Sequence, residues 1–108
     1  MTDEQPPEQA VLIYLDGNGL PDEIYANYDV ATLEDQIVAV LEDANVGEYD
    51  GNEFGPDSVT LFLYGNSADV LYATIEPILK EYPLCQGAEV ILQYGEPGAQ
   101  EKKFRLAQ

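Results

Sequence analysis

The side chains that could do chemistry here are almost all carboxylates. The chain has 21 aspartates and glutamates, no histidine, no tryptophan and one cysteine, Cys85. Without histidine there is no Ser–His or Cys–His pair to activate a nucleophile, and a zinc site lacks its usual ligands. No Gly-Lys-Ser/Thr run is present to cradle phosphates, and Gly17-Asn18-Gly19 has no basic neighbour. Two carboxylates can act as acid and base only when their environments push their pKa values apart, and Asp50 with Glu53 is the pair closest to that arrangement. Asp16-Gly17-Asn18 and Asp50-Gly51-Asn52-Glu53 gather oxygens but lack the spacing of a calcium-binding EF-hand loop. These residue types are the ones that build tight turns, so both clusters are read as turns. The expectation is a non-enzymatic protein with no cofactor and no metal, and with Cys85 as a small buried hydrophobe.

Charge carries more information than any motif. The formal net charge is -17. Residues 1–79 hold 17 of the 21 carboxylates and no lysine or arginine. Lys80, Lys102, Lys103 and Arg105 all lie in the last 29 residues, matched there by Glu81, Glu89, Glu96 and Glu101. Such a field repels nucleic acid and anionic membranes and draws in basic partners. The same charge also serves simple solubility.

Positioning these groups requires a core, and at 45% hydrophobic residues the 108-residue chain has enough for one. Residues 1–9 are expected to be a disordered acidic tail and residues 10–108 one domain. The N-terminal residues have no basic or apolar stretch of a signal peptide, and no apolar run approaches a membrane span, so the expected location is cytoplasmic.

Val11–Leu15 is a continuous apolar run closed by Asp-Gly-Asn-Gly, the pattern of a buried strand and turn. Residues 16–28 are read as loop. Asp29 or Thr32 caps a first helix, in which Leu33, Ile37, Val40, Leu41 and Ala44 recur at helical spacing. Gly47–Phe54 and Ser58–Tyr64 form a hairpin around Gly55-Pro56-Asp57, with a bulge signal at Asp50-Gly51-Asn52. A second helix starts near Ser67, carries Leu71, Ile75, Ile78, Leu79 and Tyr82 inward, and stops at Pro83. Ala88–Tyr94 and Lys102–Leu106 close the chain as a terminal hairpin. The order β-α-β-β-α-β with an extra C-terminal strand predicts an α+β, ferredoxin-like two-layer sandwich, with helices on one sheet face and the other face open.

The run G-E-Y-D-G-N-E-F-G from Gly47, L-F-L-Y-G-N-S-A-D-V-L from Leu61, Glu76-Pro77 with Leu79, and Q-Y-G-E-P-G from Gln93 resemble a family of small bacterial proteins of unassigned function. The resemblance covers roughly the last 60 residues. It implies one folded unit and brings no catalytic residues.

Strand alternation leaves Leu12, Tyr14, Phe62, Tyr64 and Ile91 on the open face. Rings on central strands suit base stacking, but such modules surround their rings with lysine and arginine, and none lies near these strands. An apolar, aromatic patch inside an acidic rim suits a protein partner. Either the 16–28 stretch or the C-terminal strand folding over that face would instead make it a second core layer.

The expected function is an immunity- or inhibitor-type protein that docks on the basic cleft of a nucleic-acid-handling enzyme or toxin. Asp29, Glu34, Asp35, Glu42, Asp43, Glu48, Asp50, Glu53 and Asp57 would replace phosphates, and the rings would anchor the contact. The alternatives are a homodimer joined through the open sheet face and, more weakly, a small-ligand or metal-binding regulator.

Overall fold

Alternation along one strand sets the architecture. In the computed structural model, which describes residues 9–95 and 100–106, β1 (Gln9–Asp16) buries Val11, Ile13 and Leu15 almost completely. It is flanked on both sides, antiparallel, by β3 (Ser58–Gly65) and β4 (Glu89–Gln93). A strand made of apolar residues on both faces belongs at the centre of a sheet, where neither backbone edge meets water. β2 (Gly47–Phe54) and β5 (Glu101–Arg105) complete the antiparallel sheet, in the order β2-β3-β1-β4-β5. β1 and β2 therefore run parallel with β3 between them, and β3 and β4 run parallel with β1 between them.

Two helices cover one face. α2 (Val30–Ala44) begins where the Asp29 carboxylate accepts from the Thr32 amide at 2.9 Å, satisfying one of the donors a helix start leaves open. It ends at Asn45, whose N–H closes the last turn on the Leu41 carbonyl and whose left-handed φ of 56° then turns the chain out of the helix. Leu33, Ile37 and Leu41, spaced by four, point into the core. α3 (Ala68–Glu81) is capped by Ser67 and buries Leu71, Ile75 and Leu79 at the same spacing. Burying each such side chain contributes roughly 1.5–3 kcal/mol. Pro77 sits in the closing turns of α3, where a lost hydrogen bond is tolerated, and Tyr82 ends the helix ahead of a 3-10 turn at Pro83–Cys85.

Where α3 begins, β2 and β3 come together on two glycines. Gly47 faces Gly65 in the register, and a Cβ on Gly47 would meet the Tyr64 carbonyl oxygen at 2.4 Å and Leu71 Cδ2 at 2.6 Å. The space that glycine leaves is what lets Leu71 pack onto the hairpin. Further along β2 the register shifts between Tyr49 and Gly51, and Gly51 takes a φ of 133°, so the Asp50-Gly51-Asn52 signal is a β-bulge.

Two sequence expectations change, and one alternative falls away. Within the stretch read as loop, Asp22–Asn27 forms a short helix, α1. Gln9, counted with the tail, opens β1, and its side-chain oxygen accepts from the Ala68 amide at 2.8 Å. Neither segment proposed as a cover crosses the open face. β5 extends the sheet beside β4, and Ile24 and Tyr25 of α1 pack against the core. Residues 1–8 of the expected tail and 96–99 of the expected terminal turn lie outside the described residues. Among the described residues, no helix is long and apolar enough to cross a membrane.

Candidate functional site

Register alone places the expected rings. Leu12 pairs with Phe62 on one side and Ile91 on the other, Tyr64 pairs with Ala10, and Tyr14 lies between Thr60 and Glu89. Leu12, Tyr14, Phe62, Tyr64 and Ile91 therefore share the face opposite the helices. Ile91 is 8% exposed and the other four are half-buried.

The expected acidic rim is not continuous around them. On the β2 side, Glu48 stands across from Tyr64 and Glu53 across from Thr60. On the β5 side, Lys103 stands across from Ile91 and Arg105 across from Glu89, both exposed. Residue parity along β5 carries these cations onto the ring-bearing face, beside β4 rather than beside the central strands β1 and β3. Arg105 is tied back, donating to the Gly87 carbonyl at 2.9 Å.

The remaining carboxylates are divided between the layers. Asp29, Glu34, Asp35, Glu42 and Asp43 belong to α2 and its cap, on the other side of the sheet from the rings. They cannot form one contact surface with Phe62 and Tyr64. Four carboxylates, three of them from the expected set, already have internal work. Hydrogen bonds from the Thr32 side chain and amide hold Asp29 below the ordinary aspartate range. Glu34 Oε2 accepts from the Tyr49 hydroxyl at 2.5 Å and from Asn52 Nδ2 at 2.6 Å, fastening α2 to the bulged strand. Burial first, and then Glu34, push the Tyr49 hydroxyl well above its usual pKa. Asp57 accepts from Asn18 Nδ2 at 2.7 Å, and Asp16 accepts from the amides of Asn18 and Gly19. Asp16-Gly17-Asn18 is thus a side-chain-braced turn, as its composition implies.

What remains is an exposed acidic band. Asp35, Glu42 and Asp43 on α2 and Glu48, Asp50 and Glu53 on β2 are all exposed, and a shallow groove containing Glu42, Glu48 and Tyr49 joins helix to strand. Asp50 and Glu53, the nearest thing to an acid–base pair, both lie in this solvated band on the bulged edge strand. Cys85 is 1% exposed, and burial pushes its thiol up to about 12, which leaves it a protonated core side chain at neutral pH.

A second apolar surface lies at the end of the sheet where β1 and β3 meet α1 and α2. It is a cleft of about 470 Å3 with apolar walls that include Leu15, Tyr25, Val30, Val59 and Leu84. Phe54, 65% exposed, and Tyr28, 38% exposed, stand at its mouth. Tyr25 fixes one wall, its hydroxyl donating to the Asp16 carbonyl at 2.8 Å and accepting from the Leu20 amide at 3.1 Å. Tyr28 rests edge-on against Tyr82 with ring centroids 5.5 Å apart, and Tyr82 in turn donates to the Asp29 carbonyl at 2.6 Å. The cleft is absent from the sequence-derived site because α1 is absent from the sequence-derived fold. Its signal is the helical spacing of Ile24, Tyr25 and Tyr28. No known family, characterised protein or solved structure matches this chain.

Proposed function

We propose that this is a non-enzymatic, acidic protein-binding module of the immunity or inhibitor type. It occupies the basic cleft of a nucleic-acid-handling enzyme or toxin in the cytoplasm. The observation that carries the reading is the exposed band of Asp35, Glu42, Asp43, Glu48, Asp50 and Glu53, drawn from a region of the chain that has no lysine or arginine. Carboxylates spaced along a helix and an adjoining strand present negative charge as a phosphate backbone does, and they accelerate encounter with a basic surface. The ferredoxin-like reading of the fold is supported by the inner strand order β4-β1-β3-β2, to which β5 adds a fifth strand.

The test is affinity capture with the purified protein at low and raised ionic strength, followed by assay of the captured partner on nucleic acid. A basic enzyme retained at low salt, released at high salt and inhibited at equimolar protein is expected. Recovery of no basic partner, or of one whose activity the protein leaves unchanged, contradicts the reading.

A second reading, a homodimer joined sheet to sheet, is supported by the adjoining, half-buried Leu12 and Phe62. A protein that sediments as a monomer at micromolar concentration contradicts it.

A further inference from the structure

The cleft between α1, the start of α2 and the β2–β3 hairpin combines apolar walls with a one-sided charge. Its walls are aromatic and aliphatic, and the charged residues lining it are Asp16 and Asp29, with no lysine or arginine among the lining residues. The first turn of α2 also faces it through Val30 and Ala31, and a helix start is worth about half a positive charge. Two carboxylates outweigh that half charge, so the cleft disfavours an anion. An occupant that fits has an apolar part for the walls and a cation for the rim, where the rings of Phe54 and Tyr28 add a second attraction for positive charge.

Phe54 is the most telling residue. A phenylalanine left 65% exposed on an edge strand gains little from the fold it belongs to, but an aromatic ring at the mouth of a desolvated pocket is a typical interface anchor. Phe54 lies only one residue from Glu53, the last carboxylate of the acidic band on β2. The band can steer a basic surface while the cleft takes hold of it.

We infer that this cleft receives an apolar side chain flanked by lysine or arginine from a protein partner. This inference rests on the basic-partner reading above and adds to it where the partner is gripped and by what chemistry.

Labelled synthetic peptides test it by fluorescence anisotropy. One peptide alternates lysine and arginine around a central leucine pair, and the second replaces the leucines with alanine. The leucine peptide should bind the protein about tenfold or more tightly than the alanine peptide, the gain expected for burying a leucine side chain. Phe54→Ala removes the ring at the mouth, and Ala31→Trp fills the cleft from an exposed position on α2. Both residues are exposed, so both variants should keep the wild-type circular dichroism. Each should abolish the leucine preference; Ala31→Trp should leave the alanine peptide's affinity unchanged, whereas Phe54→Ala, which also removes a ring that attracts cations, should weaken that peptide slightly. If wild-type protein binds both peptides equally, or if the preference survives in both variants, the cleft is not the grip and the acidic-surface reading stands alone. If neither peptide binds at low salt, the basic-partner reading fails and the inference fails with it.

Discussion

The two faces of the sheet are made from the same strands and yet are not equivalent. On the helix side, Val11, Ile13, Leu61, Leu63 and Val90 are wholly buried against α2 and α3. One residue along each strand, Leu12, Tyr14, Phe62 and Tyr64 are only half-buried. The first set is aliphatic and close-packed. The second is ring-rich and bounded by charges of both signs, Glu48 and Glu53 at one margin and Lys103 and Arg105 at the other. The helix-side face is completely buried, whereas the second is buried only in places, at Ala10, Thr60 and Ile91.

The sharpest way to break that contrast is a pair of neighbouring truncations. Ile13→Ala should cost about 2–5 kcal/mol, the usual range for emptying a fully buried site. Leu12→Ala, removing a half-buried side chain from the opposite face, should cost no more than about 1.5 kcal/mol. Equal losses by urea denaturation would mean that the second face is packed as tightly as the first.

A smaller effect tests the link between the acidic helix and the bulged strand. Tyr49→Phe keeps the ring and removes the donor to Glu34, and it should cost about 1 kcal/mol. Amide exchange should rise in Gly47–Phe54 before it rises in β1. Unchanged protection in β2 would mean that the bulge is held by the backbone alone.

The smallest effect near neutrality belongs to the core cysteine. Burial raises the Cys85 thiol from 9.0 to about 12 in the folded protein. The unfolded chain therefore releases this proton first, so the thiol's contribution is fully present below about pH 9 and declines as pH rises toward 12. A thiol reagent at pH 8 should react at the rate of unfolding. Prompt labelling of the native protein would show that the core opens locally at the 3-10 turn.

Periodicity made much of this architecture legible. Leu33-Ile37-Leu41 and Leu71-Ile75-Leu79 repeat every four residues, and alternation along β1, β3 and β4 is strong enough to assign each side chain a face. α1 escaped because six residues with no buried member give too short a stripe to stand out. The position of Lys103 and Arg105 was within reach, since pairing β5 with β4 fixes their parity. The cleft was not. Its walls come from β1, α1, α2, β3 and the 3-10 turn, and no local pattern records which distant segments will converge.

The bulge at Gly51 has a consequence for the protein at high concentration. β2 is the terminal strand on its side of the sheet, and a regular terminal strand offers its free amides and carbonyls to any passing chain. Here the backbone steps out of phase in mid-strand, and Glu48, Asp50 and Glu53 crowd the approach. A newly made copy finds neither a matching ladder nor a neutral surface on which to start a fibre, so crowding should not drive this edge toward amyloid.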